Sequence, residues 1–443
     1  MVKLLRRGCL VASVLASLAA PRLAVAQAPG PAPLLAIYKS IHAHPELSHY
    51  EEQTSAVLAT ELRAAGYAVT DHVGVYPDGA RAFGVVGILK NGPGPTLLIR
   101  ADMDALPIVE ETGLPYASHI TTKTRSGLDV GVMHACGHDI HTTNLIGVAR
   151  AMAANRSSWH GTLMLVGQPS EETVDGARAM LADHLYERFG RPDMVVGLHD
   201  TNAWPAGKVG LAVGPAQAGA TSVDVTIRGI GSHGAAPQMG KDPVVLTALF
   251  ITQLQTIVSR EEDPQDPAIV TVGSIHGGAK RNIIPDEVKL ELTTRAFSEH
   301  GRQVILDGIR QMAQGVAISA GLPPDRAPIV TVLDGESAPP LYNDPALSAR
   351  VKAALVGALG PANVIDARPI TPSEDVGEFG LPGHQIPVSY YWLGAMNPEK
   401  FQAAEAAGRA LPGPHNSRFE PDPEPTLATG VRSMTAVALA LLQ

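Results

Sequence analysis

The chain has 443 residues, of which 45% are hydrophobic and 17% are charged, a composition typical of a globular protein. This length exceeds what one ordinary hydrophobic core holds, so we expect two domains. The formal net charge is −9 at pH 7, and no basic run follows the N-terminus. A nucleic-acid partner is therefore not expected, because phosphate binding needs a basic face.

The N-terminus has the pattern of a secretory signal peptide. A basic start, "MVKLLRRG", precedes the apolar run "CLVASVLASLAA", and "AVAQ" (24–27) supplies an A-x-A cleavage site. We predict a signal peptide over residues 1–26 and export to the periplasm or the medium. A membrane anchor is the alternative, but the apolar run is too short to span a bilayer, so no stable anchor is expected. Cleavage leaves one cysteine, Cys136, which cannot form an internal disulfide and is inert, reactive or a metal ligand.

Helical and buried-strand patterns alternate after this segment, which predicts an α/β domain with a mostly parallel central sheet. The helical segments have apolar residues at helical spacing, and the strand segments are short apolar runs. In chain order we predict a helical region over 34–66, a strand over 96–102, a helix over 140–154, a strand over 161–168, a helix over 176–189 and a strand over 193–200.

The pattern changes near residue 215, where the strands begin to alternate between apolar and polar residues. The order β-α-β-β-α-β predicts a ferredoxin-like α+β domain over 215–327, inserted into a larger domain made of 27–214 and 328–443. Its sheet could leave an edge strand free to pair with a second copy. The predicted segments are strand 222–230, helix 242–260, strands 268–278 and 287–297, helix 301–321 and strand 328–335, followed in the larger domain by helix 345–360, strand 387–394 and helix 426–443.

Residues of the kinds that bind metals follow several predicted strands. The stretch "HACGHDIH" (134–141) concentrates three histidines, a cysteine and an aspartate just before a predicted helix. Because sites in open α/β sheets form at the carboxyl ends of strands, these groups should converge on one edge of the sheet. The other candidates at or near strand ends are Asp102, Asp104, Glu171, Glu172 and His199.

A thiolate, imidazoles and carboxylates together suit Zn²⁺, with Mn²⁺ and Co²⁺ as alternatives. Cys136 and His138 can converge only from a tight turn, which Gly137 permits. In the Glu171–Glu172 pair, one carboxylate can bind metal while the other takes a proton from a metal-bound water. Other interpretations stay open at this point: His199 could be a core histidine, and Asp102 could cap a helix.

The chain resembles the hippurate hydrolase and indole-acetyl-amino-acid hydrolase group of the aminoacylase–carboxypeptidase metallopeptidase family. The matching stretches follow the family order across nearly the whole mature chain. They are "IHAHPELSHYE" (41–51), "LLIRADMDALPIVE" (97–110), "MHACGHDIHTTNLIGVA" (133–149), "GQPSEE" (167–172), "GLHD" (197–200), "GSHGAAPQMGKDPV" (231–244), "NIIPDEV" (282–288), "SEDVGEFG" (373–380) and "PHNSRFE" (414–420).

The resemblance implies a zinc-peptidase-like catalytic domain and a smaller domain that dimerises. It implies a site for two divalent metal ions, a general acid/base and a supporting aspartate. It also implies a histidine that reaches the substrate carbonyl from the partner subunit, and two contacts to the substrate carboxylate. The residues that match the metal ligands are Cys136, His138, Glu172, His199 and His415. Glu171 matches the general acid/base, Asp102 the supporting aspartate, and His233 the histidine that reaches the partner's substrate. Asn282 and Arg295 match the contacts to the substrate carboxylate.

The function implied is a metal-dependent amidohydrolase that cleaves N-acyl amino acids and works as a homodimer or higher homo-oligomer. A dipeptidase or carboxypeptidase with the same site is one alternative, and an exported metal- or solute-binding protein is another. One departure stands out, because "GLHV" is common in the group where this chain has "GLHD". Asp200 could therefore change the charge of the metal site or orient His199.

Overall fold

The computed structural model describes residues 31–443, so the predicted signal peptide lies outside the described residues. Ten α-helices and eighteen strands occur in the described part of the chain. The helices are α1 (Pro31–Ala43), α2 (Glu52–Ala64), α3 (His138–Ala154), α4 (Gly176–Ala182), α5 (Leu185–Phe189), α6 (Pro243–Thr256), α7 (Glu299–Ser319), α8 (Pro345–Leu359), α9 (Pro398–Ala406) and α10 (Pro423–Leu441).

The strands form one large sheet, one smaller sheet and three short two-stranded pairs. Their bounds are β1 (Ala68–Val75), β2 (Arg81–Asn91), β3 (Thr96–Asp102), β4 (Thr121–Lys123), β5 (Asp129–Gly131), β6 (Gly161–Gln168), β7 (Met194–Pro205), β8 (Val209–Leu211), β9 (Gly214–Gln217), β10 (Gly219–Arg228), β11 (Ser232–His233), β12 (Ala268–Gly277), β13 (Ile283–Ile284), β14 (Glu287–Ala296), β15 (Ile329–Ala338), β16 (Leu341–Asn343), β17 (Val364–Asp366) and β18 (Val388–Met396).

The large sheet has the order β1-β2-β6-β3-β7-β18-β8-β17. Its central strands β6, β3, β7 and β18 are parallel to one another, which confirms the predicted mostly parallel α/β sheet. Strand β3 is buried on both faces: Leu97 and Ile99 pack in one hydrophobic cluster, and Leu98 packs in another on the opposite face. Burial on both faces explains its continuous apolar run.

Four features of the large domain differ from the sequence prediction. The helical region over 34–66 is two helices, because the segment before Pro45 cannot continue a helix. The helix predicted over 176–189 is also split, at His184, which has a φ of 59°. Strand β7 runs on to Pro205 because β18 pairs with it beyond His199. The strands β1 and β2 were not predicted at all.

The smaller sheet has the order β12-β14-β10-β15 with antiparallel pairing. Helices α6 and α7 pack on one face, where Phe250 and Ile309 lie in its hydrophobic core. The sequence β10-α6-β12-β14-α7-β15 matches the expected ferredoxin-like order. Strand β15 lies beyond the predicted boundary at 327, so this sheet ends at Ala338. The division into domains over 27–214, 215–327 and 328–443 stays a prediction.

By length and composition alone, the segment Pro243–Glu261 of the described chain could cross a membrane. Its residues Leu246, Phe250 and Leu254 pack in the core of the smaller sheet. The structure therefore accounts for part of its apolar character.

Candidate metal centre

The five predicted metal ligands come together beside the carboxyl ends of β3 and β6. Within this cluster, three-residue groups have ligand atoms that all lie within 4.8 Å of one another. The Cys136 Sγ lies 3.4 Å from His199 Nε2, and His138 Nε2 lies 3.8 Å from Glu172 Oε1. The other carboxylate oxygen of Glu172 lies 3.3 Å from His415 Nε2. Glu172 therefore links the loop that carries His415 to the rest of the cluster.

The turn before α3 directs the side chains of both Cys136 and His138 toward the cluster. Gly137 has a φ of 80°, which confirms the predicted tight turn. The space also requires glycine, because an added Cβ would lie 2.3 Å from Asp200 Oδ2. Backbone conformation and close packing therefore both fix this residue.

Asp104 holds two parts of the site in place. Its carboxylate accepts the backbone N–H groups of Glu171 and Glu172 at 3.1 and 3.0 Å. It also lies 3.2 Å from His138 Nδ1. An Nδ1–H that donates to Asp104 leaves the Nε2 lone pair of His138 facing the cluster, as a metal ligand requires.

Asp102, the last residue of β3, is held between two basic side chains. Its Oδ1 lies 2.5 Å from His141 Nδ1, and its Oδ2 accepts Arg100 Nη1 at 2.6 Å. Arg100 is fully buried and also contacts Glu374 and Asp375 at 2.8 and 2.9 Å. These charges hold the pKa of Asp102 well below its ordinary value despite its burial. Asp102 therefore stays ionised beside His138.

Glu171 lies beside Glu172 and is almost fully buried. Its Oε2 is 4.0 Å from His138 Nε2. Burial raises the pKa of Glu171 well above its ordinary value, and the charges of Glu374, Glu172 and Asp375 act in the same direction. A carboxylate with a raised pKa next to a predicted metal ligand suits a general acid/base.

The residues present fit divalent metal ions. The atoms His138 Nε2 and Glu172 Oε1 are buried and have no hydrogen-bond partner within residues 31–443. Ligand atoms of one ion, each about 2.0–2.3 Å from it, lie about 3–4 Å apart, as these atoms do. The cluster is also rich in carboxylates, and among the described ion pairs Arg100 is the only Lys or Arg side chain that contacts any of them. The carboxylates concerned are Asp102, Asp104, Glu171, Glu172 and Asp200.

His415 differs from the other predicted ligands because its side chain is 57% exposed. Its φ of 66° is unusual for a residue other than glycine, and its backbone N–H donates to the Ala135 carbonyl at 2.7 Å. Two residues later, the Ser417 hydroxyl donates to Glu111 Oε2 at 2.9 Å. The His415 loop is thus tied to the segment before Cys136 and to the segment after β3.

Three predicted site residues lie outside the cluster in this single chain. His233 and Asn282 are exposed and lie beside the short β11–β13 pair of the smaller domain, where Gly234 N–H donates to the Asn282 carbonyl at 2.9 Å. Arg295 is half-buried on β14, and its Nη1 donates to Ser373 Oγ at 2.7 Å. Arg295 therefore reaches the segment next to Glu374.

Sequence reasoning missed several residues that hold the cluster in place through contacts with Asp102 and Arg100. His141 was noticed only as part of the histidine-rich stretch, although the i, i+3 spacing from His138 places both rings near Asp102. Glu374 and Asp375 lay in a matched motif without a role. Their contact with Arg100 joins segments far apart in the chain, and no local pattern predicts it.

Comparison with known proteins agrees with this arrangement. The family model for Peptidase family M20/M25/M40 matches residues 98–440. The chain is 36% identical to N-acetyl-L-cysteine deacetylase from Bacillus subtilis (strain 168) over 361 residues, covering 82% of this chain and 80% of that protein. It is 38% identical to hippurate hydrolase from Campylobacter jejuni over 282 residues, covering 63% of this chain and 69% of that protein.

A solved structure shares the fold. It is the Bacillus subtilis YXEP protein, described as a dinuclear metal binding peptidase from the M20 family, with 26% identity and a TM-score of 0.74. The match covers 93% of this chain and 98% of that one. Together with the match to the family model, which spans most of the chain, these similarities show that the chain belongs to Peptidase family M20/M25/M40.

Proposed function

We propose that this chain is a metal-dependent amidohydrolase that cleaves the amide bond of N-acyl amino acids. The observation that carries the proposal is the position of Glu171, a buried carboxylate next to the metal-ligand candidate Glu172 and 4.0 Å from His138. A protein that only binds metal or solute needs no such additional carboxylate, so Glu171 argues against the binding-protein alternative.

The names of the relatives support the substrate class. N-acetyl-L-cysteine deacetylase and hippurate hydrolase are both named for removing an acyl group from the nitrogen of an amino acid. A peptidase acting on dipeptides or C-terminal residues is the second candidate, because the similar YXEP structure is described as a peptidase. Both reactions attack an amide carbonyl, so they differ in the substrate pocket and share the same catalytic groups.

Cys136, His138, Glu172, His199 and His415 are the proposed ligands of two divalent ions. Zn²⁺ is the proposed ion because the cysteine thiolate is a soft ligand, with Mn²⁺ and Co²⁺ as alternatives. When bound, such ions polarise the amide carbonyl and make water a stronger nucleophile.

The chain's own residues then handle the proton. Glu171 takes a proton from the attacking water and returns it to the nitrogen of the departing amino acid. Asp104 fixes Glu171 for this task, because it accepts the Glu171 backbone N–H at 3.1 Å. Asp102 supports the site by holding His141, with which it makes a 2.5 Å contact, and by facing His138.

His233 is the proposed donor to the oxyanion that forms on the substrate carbonyl. The Ala235 N–H donates to His233 Nδ1 at 3.0 Å, so the proton of the neutral ring is on Nε2. Because His233 is exposed and outside the cluster of its own chain, we propose that it acts on the site of a partner subunit. Asn282, beside the paired strand β13, and Arg295 are the proposed contacts to the substrate carboxylate.

The partner is proposed to be a second copy that docks on the inserted domain. Helix α6 exposes apolar side chains, with Val245 and Leu249 55% and 49% exposed. Strand β12 is an edge strand, and its Ile275 is 53% exposed. An open edge strand beside an exposed apolar helix face is suited to a symmetric homodimer.

Export to the periplasm or the medium is also a proposal. Its support is the basic start, the apolar run and the cleavage pattern before Gln27. N-terminal sequencing of the protein from the periplasm and from the medium tests it. A mature chain that starts at Gln27 supports export, and an intact Met1 in the cytoplasm contradicts it.

The substrate class is tested by purifying residues 27–443 and measuring release of free amino acid. The panel contains N-acetyl, N-benzoyl and N-indole-acetyl amino acids and dipeptides, assayed with chelator and again after Zn²⁺, Mn²⁺ or Co²⁺ is restored. Metal-dependent release from the N-acyl compounds supports the proposal. Release from dipeptides alone supports the peptidase, and no release from folded, metal-loaded protein contradicts both.

A further inference from the structure

Asp200 is a buried carboxylate directly behind the candidate metal centre. It is 1% exposed, and both of its carboxylate oxygens lack hydrogen-bond partners among the described residues. Its Oδ1 lies 3.3 Å from His199 Nδ1 and 3.3 Å from His141 Nε2. A buried charge without hydrogen bonds is unfavourable unless nearby groups compensate it, and the nearest ring N–H is the Nδ1–H of His199.

The backbone of Asp200 fixes the orientation of His199. The His199 Nδ1 lies 2.7 Å from the Asp200 carbonyl oxygen, which can only accept a hydrogen bond. The ring proton is therefore on Nδ1, next to the carboxylate, and the Nε2 lone pair faces Cys136 Sγ at 3.4 Å. A histidine that binds a metal ion through Nε2 needs this tautomer.

The backbone of Asp200 also fixes the tautomer of His141, in this case as a hydrogen-bond donor. The Asp200 N–H donates to His141 Nε2 at 2.9 Å, so the proton of the neutral ring is on Nδ1. That Nδ1–H points to Asp102 Oδ1, 2.5 Å away. Asp200 thus connects the histidine on β7 to the aspartate at the end of β3.

The turn at Gly137 leaves room for this carboxylate. Both Asp200 oxygens would lie 2.3–2.4 Å from a Cβ at position 137, so any larger residue would displace them. The carboxylate therefore lies directly against the turn that joins Cys136 to His138. Three of the five proposed ligands lie within one residue of this contact: Cys136, His138 and His199.

We propose that Asp200 is a positioning residue that holds His199 in its binding tautomer and adds negative charge behind it, so that the chain binds one of its two metal ions more tightly. The inference rests on the proposed function, because it assumes that His199 is a metal ligand. A carboxylate that orients a ligating histidine is worth about 10- to 100-fold in metal affinity. The Asp200 side chain adds this contribution to the orientation that its backbone already provides.

The test compares metal affinities in the wild-type chain and in Asp200→Asn, which keeps the shape and removes the charge. Each metal-free protein is titrated with Zn²⁺ against a chromogenic chelator, and the absorption spectrum with Co²⁺ is recorded. We expect one of the two equivalents to bind about 10- to 100-fold more weakly and the Co²⁺ spectrum of that equivalent to change. Asp200→Ser is measured in parallel, in case the asparagine variant folds poorly.

Glu262→Gln is the matched control. Glu262 is a buried carboxylate whose two oxygens also lack hydrogen-bond partners among the described residues, but it lies in the inserted domain and forms no described ion pair with His141 or His199. Its loss should leave both metal affinities unchanged. The inference would be overturned if the wild type binds two ions tightly and both Asp200 variants bind them with the same affinities. The proposed function would still stand in that case. A wild-type chain that binds no divalent metal would instead overturn the proposed function, and the inference with it.

Discussion

His138 Nε2 and Glu172 Oε1 face each other across 3.8 Å, and neither buried atom has a hydrogen-bond partner in the part of the chain that the structure describes. Buried lone pairs of this kind are unfavourable unless a bound cation compensates them. Divalent metal should therefore stabilise the fold as well as support the reaction. Each ion held at a hundred times its dissociation constant adds about 2.7 kcal/mol to the free energy of unfolding.

Calorimetry with chelator and with added Zn²⁺ measures this effect. We expect a higher melting temperature with Zn²⁺ for the wild type and a much smaller increase for His138→Ala, which lacks one proposed ligand. Equal melting temperatures with and without metal would contradict the assignment of the cluster as a metal centre.

Arg100 should be essential for stability. Its guanidinium is buried among Asp102, Glu374 and Asp375, so Arg100→Leu leaves buried acidic groups without their cation. Breaking such a pair costs about 3–5 kcal/mol. Urea unfolding of the metal-free variant measures the loss. As the control, Arg150→Leu removes a partly exposed pair with Glu61, where we expect a loss of at most about 1 kcal/mol. A loss of similar size in both variants would contradict this role.

Glu51 should make the stability depend on pH. Its Oε1 accepts the Ser170 N–H at 2.8 Å, next to the Glu171–Glu172 pair, and burial followed by the charge of Asp104 raises its pKa to about 8. The folded state then keeps a proton that the unfolded state loses near its ordinary value of 4.5. This contribution to stability is present below pH 4.5 and is lost as the pH rises toward 8.

Glu51→Gln keeps an oxygen that can accept the hydrogen bond, but it cannot ionise. The variant should therefore not lose stability through this residue as the pH rises. We expect the free energy of unfolding of the variant, minus that of the wild type, to increase between pH 5 and pH 8.5, as measured by urea unfolding at several pH values. The exposed neighbour provides the control, and Glu52→Gln should show no such trend. A constant difference for Glu51→Gln would mean that Glu51 titrates normally in the folded state.

Mixed dimers test whether His233 acts from the partner subunit. His233→Ala and Glu171→Gln should each be nearly inactive alone. If His233 serves the neighbouring site, each heterodimer has one complete site, so random mixing restores about a quarter of the wild-type activity. Mixing is done by refolding the two variants together, with each variant refolded alone as the control. No recovery in verified heterodimers would place His233 at the site of its own chain.

Secondary structure was predicted best where a local sequence pattern has a single structural cause. Strands 96–102 and 161–168 match the structure residue for residue, because burial on both faces produces apolar runs with clear ends. Strand β1 is hard to predict because it mixes polar and apolar residues and much of it is only partly buried. Strand β2 has an apolar run, but Gly84 and Gly87 interrupt it, and glycine is disfavoured within strands. His199 lies within its strand and not near its end, because pairing with β18 lengthens β7.

For the site, the sequence identified groups that the structure brings together, such as Cys136, His138 and Glu172. Their chemistry and their positions next to strand ends were sufficient for that. The supporting contacts were not predictable, because they join distant segments. Asp375 lies far along the chain from Arg100, and only the folded sheet places them 2.9 Å apart. The proposed partner of His233 is a second chain, which a single sequence does not contain.

The most direct test of the central claim is Glu171→Gln, measured for both metal content and turnover of the best N-acyl amino acid. Glu171 is proposed to move the proton and not to bind metal. The account therefore predicts two bound ions per chain, as in the wild type, with kcat reduced by about 100-fold or more. A variant that keeps both its metal and its turnover would contradict the mechanism proposed for this site.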